Sequence, residues 1–243
     1  MTDFAYTRRV YDSIARSYHE KRSDPQAGAW NEHLEMPAMR SLLMPLVKGR
    51  KVLDLGCGTG LLSDQIAKGG GHVVGIDLSA QMVSIAQEEY PKIEFHVGQS
   101  DALPFDDGYF EVVASSLVMH YLKDLLPTFA EVARILTRGG EFVFSMHHPL
   151  NESMSYTKTD PGSPPTLAPY FHNDSYTWRM CDAELLSYHH TFEDVVRSLN
   201  KAGFTLKDLI ECRPDENSAG LFADYKFTSQ YPSFCVFHAH KPA

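Results

Sequence analysis

Cysteine is scarce in this sequence of 243 residues: Cys57, Cys181, Cys212 and Cys235 lie far apart, with no C-x-x-C pair and no cysteine/histidine spacing of the zinc type. That excludes a disulfide scaffold or a zinc module as the source of stability and favours a reducing compartment. Basic residues are in deficit, 22 Lys plus Arg against 31 Asp plus Glu, and the net charge of -9 offers no global attraction to a nucleic-acid backbone or an anionic membrane. Neither nucleic acid nor a membrane is therefore expected as a partner. Long apolar runs are missing as well: no stretch approaches the roughly 18 residues of a membrane helix. The N-terminus MTDFAYTRR carries Asp3, Arg8 and Arg9 where a signal peptide needs an apolar centre, so the expected location is cytoplasmic. There is no internal repeat of solenoid or propeller period. What is present is ordinary for a globular chain, 43% hydrophobic and 22% charged, enough for one large domain or one domain with a cap.

From Lys51 to Pro149 short apolar runs alternate with helical patterns, the mark of a parallel sheet covered by helices on both faces. The runs are 51–55, 72–77, 93–97, 110–114 and 141–145. Phe129, Val132, Ala133 and Leu136 recur at i, i+3, i+4 and i+7, which predicts a helix closed by Gly139-Gly140. Residues 150–176 break the alternation, and Asp160-Pro-Gly-Ser-Pro-Pro165 predicts a long loop. A polar-aromatic stretch, 175–190, leads to Thr191-Phe-Glu-Asp194, a capping-box start with Phe192, Val195, Val196 and Leu199 on the buried face. Two late strands follow at 205–211 and 233–240. Upstream, Tyr11, Ile14, Ala15 and Tyr18 share one helix face, and 30–47 is a second apolar-rich segment. The expected division is an N-terminal helical cap (1–47), an α/β core (48–149), a cap insertion (150–190) and the C-terminal part of the core (191–243).

Asp54-Leu-Gly-Cys-Gly-Thr-Gly60 sits where the first strand ends and a helix opens, the place where an α/β sheet offers backbone N–H groups to a ligand. The dinucleotide fingerprint would need Gly or Ala at Leu61, and Asp54 would set a carboxylate against a pyrophosphate. A carboxylate there suits an ammonium group instead. Asp77 ends the second strand, where an acidic side chain can accept hydrogen bonds from both ribose hydroxyls. The ligand so drawn carries a ribose and a positive charge but no phosphates.

These residues resemble the class I S-adenosylmethionine-dependent methyltransferases, in particular the group that includes the quinone-biosynthesis and small-molecule enzymes. Val52-Leu-Asp-Leu-Gly-Cys-Gly-Thr-Gly60 looks like their first motif and Val74-Gly-Ile-Asp-Leu-Ser79 like their acidic second-strand motif; Gly98–Phe105, Phe110–His120 and Arg134–Gly140 are also similar, as is Tyr11–Tyr18 at the front. The resemblance covers residues 6–149 and fades beyond. It implies a Rossmann-like, doubly wound, mostly parallel seven-stranded sheet with an antiparallel last strand. It implies S-adenosylmethionine as cofactor and S-adenosylhomocysteine as product. Asp54, Gly56, Gly58 and Gly60 would shape the methionine pocket, with Thr59 at the helix start. Asp77 would hold the ribose, Leu78 and Met82 would flank the adenine, and Asp101 with Ala102 would read its edge. Ser116 and Leu117 would face the sulfonium, and Tyr18 is grouped with these contacts.

Methyl transfer from a sulfonium is an in-line displacement whose leaving group needs no protonation, so a base is required only if the acceptor must lose a proton. His147 and His148 follow the fifth strand, and an imidazole of ordinary pKa ~6.5 suits that task; strand alternation would let only one of them face the site. If that one is the base, turnover should rise with pH through the imidazole titration. Tyr11 and His120 are placed with the acceptor, although a packed helix face and a structural histidine are the plainer readings. No metal is expected, because the fourth strand ends in Ser115-Ser116 without the acidic residue that would resemble the metal-dependent catechol type; no Asn/Asp-Pro-Pro-Tyr follows it, which disfavours the DNA-adenine and glutamine methylating classes. The expected partner is a small-molecule methyl acceptor, with O-, N- and C-methylation left open. The alternatives are a protein or RNA methyltransferase and a non-catalytic cofactor-binding module.

Overall fold

The computed structural model describes residues 3–24, 27, 28, 30–155, 165–171, 175–221 and 225–243. Helix α1 (Asp3–Ser23), a π-helical turn (Asn31–Glu35) and α2 (Met36–Val47) precede the sheet. Strand β1 (Lys51–Leu55), α3 (Leu61–Lys68), β2 (His72–Asp77), α4 (Ala80–Glu89), β3 (Glu94–Val97), β4 (Phe110–Ser115), α5 (Leu126–Ile135) and β5 (Leu136–His147) follow. After the short α6 (Pro149–Glu152), β6 (Met154–Ser155) pairs with β7 (Thr166–Leu167), and β8 (Ser175–Met180) pairs with β9 (Ala183–Tyr188). The chain closes with α7 (Phe192–Lys201), β10 (Thr205–Glu211), α8 (Tyr225–Thr228) and β11 (Phe234–His240).

Seven strands form one sheet in the order β10-β11-β5-β4-β1-β2-β3. β1 to β5 pair in parallel, whereas β11 runs antiparallel to both of its neighbours. This is the doubly wound sheet with an antiparallel last strand. Both faces are buried because both carry apolar side chains: Leu53, Phe142 and Phe144 pack with Phe129 of α5 and Leu199 of α7, while Val52, Val143 and Val236 pack with Leu43 of α2 and Ile66 of α3. Phe142, Phe144 and Phe237 stack at 4.7 and 4.9 Å between consecutive rings. Each fully buried ring contributes on the order of 1.5–3 kcal/mol over leaving it in water. The strand order reverses beside β1, so a crevice opens at the carboxyl ends of β1 and β4, where open α/β sheets bind ligands.

The Thr191 capping box forms: its hydroxyl accepts from the Asp194 N–H, and the Asp194 carboxylate accepts from the Thr191 N–H. One expectation is corrected. Gly139-Gly140 does not cap α5, because Leu136 is already extended (ψ 141°) and the strand begins there. The glycines lie in the stretch where β5 shifts register against β4, with Gly139 at φ 76°, a conformation that costs glycine little. The stretch 175–190 is a hairpin whose turn puts Cys181 and Asp182 at φ 48° and 61°; such a two-residue turn usually announces itself by glycine, and here it has none. Of the long loop or cap insertion expected over 150–176, residues 156–164 and 172–174 lie outside the described residues, and the rest carries α6, the β6–β7 pair and the start of β8. Among the described residues no helix is long and apolar enough to cross a membrane.

Candidate active site

The turn from β1 into α3 is shaped by three glycines with positive φ, Gly56, Gly58 and Gly60. At Gly56 a Cβ would fall 2.2 Å from Val118 Cγ2, so the turn can approach the β4 edge only without a side chain. The Asp77 carboxylate ties this turn to the end of β2: Oδ2 accepts from the Gly58 N–H and Oδ1 from the Ser79 N–H, both at 2.8 Å. Burial raises its pKa while the two N–H groups oppose the shift. Ser79 caps α4 by accepting from the Met82 N–H and donates to Asp12 of α1 at 2.6 Å. Asp54 lies beneath the turn, 1% exposed, and accepts from the Ser63 hydroxyl at 2.6 Å; burial pushes its carboxyl up to about 7.

Around this turn a cavity opens at the carboxyl ends of β1, β2 and β4. Of the residues expected at a cofactor, Tyr18, Gly56, Gly58, Asp77, Leu78, Met82, Ser116 and Leu117 line it, joined by Tyr11. Asp54, Thr59, Gly60, Asp101 and Ala102 are not in its lining. Thr59 is buried, and its hydroxyl has no hydrogen-bond partner among the described residues. Gly60 faces Tyr90 and Phe95, and Asp101 and Ala102 follow the lining residue Ser100 in a tight turn bridged from Gln99 to Ala102. At Gly58 a Cβ would meet only Tyr18 Cε1, at 3.9 Å, so the loop leaves open space over its backbone.

A second chamber of about 620 Å³ shares the walls Tyr11, Tyr18, Leu117 and Tyr121 with the first. The Tyr11 and Tyr121 hydroxyls meet at 2.7 Å on that shared wall, and burial raises the pKa of both, so they remain neutral. His147 enters from the end of β5 and stacks on His120, ring centroids 3.7 Å apart and planes 9° from parallel. The Tyr176 hydroxyl donates to Glu152 Oε1 at 2.9 Å, so its oxygen accepts from His147 Nδ1–H at 2.8 Å. Glu152 Oε2 meets His189 Nδ1 at 2.8 Å in a spot closed to solvent. In the chain His147–Tyr176–Glu152–His189 the Nδ1–H of His147 donates, so its Nε2 carries the lone pair, for which the described residues supply no hydrogen-bond partner. Burial pushes that imidazole down to about 3 and holds His120 well below its ordinary value. His148, one residue on, lines neither chamber: it meets Glu211 at 2.9 Å, packs edge-on against Phe192 and accepts from the Leu150 N–H at the start of α6.

A model of the Methyltransferase domain matches residues 53–144, the segment that builds the glycine turn, Asp77 and the β4 edge. The crystal structure of an S-adenosylmethionine dependent methyltransferase from Mesorhizobium loti is similar over 85% of this chain and 97% of that one, at 27% identity and a TM-score of 0.75. The chain belongs to the class I S-adenosylmethionine-dependent methyltransferases. Among curated relatives, the demethylmenaquinone methyltransferase of Chlorobaculum parvum is 42% identical over 37% of this chain and 38% of its own length. The malonyl-[acyl-carrier protein] O-methyltransferase of Erwinia billingiae is 38% identical over 40% of this chain and 39% of its own. The chain thus spans about two fifths of the length of these two relatives, on its cofactor-binding half.

The cofactor of this methyltransferase is S-adenosylmethionine. Its residues fit that group: open space over the Gly58 backbone, a carboxylate at the end of β2 in Asp77, and apolar Leu78 and Met82 in the same lining. Sequence reasoning missed Glu35, a wholly buried carboxylate whose Oε1 accepts from Ser145 (2.6 Å) and Ser116 (3.0 Å), while Ser145 Oγ accepts from the Leu117 N–H. This set clamps the turn after β4, where Leu117 is held at φ 56°, a costly conformation for a branched side chain. The signal was an acid between Leu34 and Met36 in an apolar segment. Tyr121, Glu152, Tyr176 and Trp178 were missed as well, and only the last two stood out, as aromatics in a polar stretch. Among the described residues no group of three His, Cys, Asp or Glu side chains is placed to hold a metal ion.

Proposed function

We propose that this methyltransferase acts on a small-molecule acceptor seated in the 620 Å³ chamber, with His147 Nε2 receiving the acceptor's proton. The observation that carries the reading is the hydrogen-bonded chain from His147 Nδ1 through the Tyr176 hydroxyl to Glu152. Tyr176 engages Nδ1–H, so a basic lone pair remains in a chamber that shares a wall with the cofactor cavity. The bound cofactor supplies a methyl group on a sulfonium, already activated, so the chain's task is alignment, exclusion of water and proton transfer. α1 and the β8–β9 hairpin cover the chamber, linked where the Tyr6 hydroxyl donates to the Glu184 carbonyl. The volume of about 620 Å³ lies within the ~300–1,000 Å³ of small-molecule sites, and a concave chamber with aromatic walls suits such an acceptor better than a protein or RNA segment.

A base held at about 3 alters the pH expectation read from sequence. The imidazole is neutral across the ordinary working range, so turnover should be flat with respect to this group instead of rising near ~6.5. So weak a base suits an acceptor with an acidic proton, or one that loses it only as the methyl arrives. The test is a radiolabelled methyl-transfer screen over phenols, amines and carboxylic acids. Turnover of at least one of these, lost in His147→Ala, supports the reading; cofactor binding with no turnover of any small acceptor counts against it.

A further inference from the structure

The larger chamber is charged with a sign opposite to that of the chain. The sequence has an excess of acidic residues, 31 against 22 basic, yet the charged lining consists of Lys21, Arg22 and Arg179 against the single carboxylate of Glu152. Glu152 is withdrawn from any ligand, because it is enclosed and engaged by Tyr176 and His189. The three cations come from two separate elements, the last turn of α1 and strand β8. None of them has a carboxylate at ion-pair distance among the described residues; Arg179 spends one donor on the Asp182 carbonyl at 3.0 Å. Three cations without an ion-pair partner among the described residues, lining one cavity of an acidic protein, form a local field that favours an anion.

A second observation comes from deeper in the chamber. His120 is 1% exposed, lines the cavity, and neither of its ring nitrogens has a partner among the described residues. A neutral imidazole carries one N–H, and leaving such a donor buried and unmatched costs about 1–3 kcal/mol. An oxygen on the ligand beside His147 would satisfy it. Between the two polar ends stand aromatic walls: Trp178 is 5.2 Å and Phe234 5.8 Å from the His147 ring, and Trp30 packs edge-on against Phe234. His120 is buried while Lys21 and Arg179 are exposed, so the chamber is polar at its buried end, aromatic along its walls and cationic toward solvent.

We propose that the acceptor is a small planar molecule bearing an anionic group, carboxylate or phosphate, held by Lys21, Arg22 and Arg179, with an oxygen presented at the opposite end to the His147–His120 pair. This rests on the methyl-transfer reading above. An anion at the opening also raises the proton affinity of His147, which aids a base that burial has weakened.

Equilibrium binding to the protein preloaded with S-adenosylhomocysteine tests the proposal with three probes of one shape: 4-hydroxybenzoate, 4-hydroxyphenyl phosphate and 4-hydroxybenzamide. At least one anion is expected to bind about tenfold or more tightly than the amide, with a preference that shrinks as salt is raised. The stronger of the two anions tells carboxylate from phosphate. In the combined variant Lys21→Gln, Arg22→Gln, Arg179→Gln the preference should fall to within about twofold, while S-adenosylhomocysteine binds as before. Equal affinity for the amide, no binding of any probe to the loaded protein, or a preference that survives the triple substitution overturns the proposal. The salt titration on the unaltered protein decides the matter even if the variant fails to fold. Failure of S-adenosylhomocysteine itself to bind would instead remove the methyl-transfer reading, and this inference with it.

Discussion

The two chambers are built by different means. The cofactor side draws on α1 and on one stretch of chain, residues 55–122, and its central contacts are backbone N–H groups gathered by Asp77 and a turn that only glycine can make. The acceptor side takes Lys21 and Arg22, Leu117 to Tyr121, His147 to Met154, the β8 strand, and Ser233 with Phe234, and its contacts are side chain to side chain. The first takes its form from backbone geometry, which a short motif encodes. The second, the proposed acceptor chamber, takes its shape and charge from a cavity that exists only after distant segments have packed. The electrostatics differ in the same way. Buried carboxylates with raised pKa occur on both sides, Asp54 and Asp77 on one and Glu152 on the other, but the buried imidazoles His120 and His147, their pKa lowered by burial, belong to the larger chamber.

The sharpest way to separate the two halves is at His147. His147→Ala is expected to lower turnover by ~10² to 10⁴ while cofactor affinity changes little, as for loss of a general base. His148→Ala, on the neighbouring residue outside both chambers, should leave turnover intact and lower only the melting temperature. Equal kinetic losses in the two variants would break the assignment of function to one of them.

On the cofactor side, Asp77→Ala removes the acceptor for the Gly58 and Ser79 N–H groups as well as the ribose contact proposed for it. Cofactor binding should weaken by ~1.5–3 kcal/mol, the range for hydrogen bonds to a charged group. The KM for the acceptor, measured at saturating cofactor, should stay where it was. A dissociation constant for S-adenosylmethionine that does not move would show that Asp77 organises the loop without touching the ligand.

A smaller effect is expected from Tyr176→Phe, which leaves His147 Nδ1–H without its partner but keeps the ring in place. Turnover should drop ~10-fold, about 1.4 kcal/mol, with S-adenosylhomocysteine binding unchanged. Full activity in this variant would mean that the tautomer is held by something other than the Tyr176–Glu152 chain.

The smallest expected differences lie in stability against pH, and they have opposite signs in the two halves. His120 is neutral when folded but protonates below ~6.5 when unfolded, so the unfolded state takes up protons as pH falls and stability is lost below that value. His120→Phe should flatten this acid-side loss by ~1 kcal/mol between roughly pH 6.5 and 5.5. Asp54 runs the other way: its folded value of about 7 lies above that of an unfolded aspartate, so its contribution is present below ~4 and is lost as pH rises to about 7. Asp54→Asn should therefore gain on the parent over that rise. Thermal unfolding of the cofactor-free protein from pH 4 to 8 measures both slopes, and slopes of one sign would erase the contrast.

The core strands were legible because their apolar runs are short and bounded by glycine or polar turns, and Gly56, Gly58 and Asp77 because positive φ and a strand-end acid leave a pattern. Asp54 was read as a ligand contact from the same pattern, yet it lies under the loop against Ser63, a distinction that depends on which way one side chain turns. The 181–182 turn escaped because Cys181 and Asp182 carry no glycine signal, and with it went the hairpin that brings Tyr176 and Trp178 over the chamber.

By itself the sequence determined the parallel sheet, the glycine turn and the kind of cofactor, because these rest on periodicity and backbone conformation within one stretch of chain. It also offered a pair of adjacent histidines as candidate bases. Only the tertiary structure separated the two, since the β5–β11 pairing and the hairpin turn His147 toward Tyr176 and the cavity and send His148 to Glu211. It alone brought Lys21, Arg22 and Arg179 to one opening: residues some 157 positions apart become neighbours through packing, which no local pattern records.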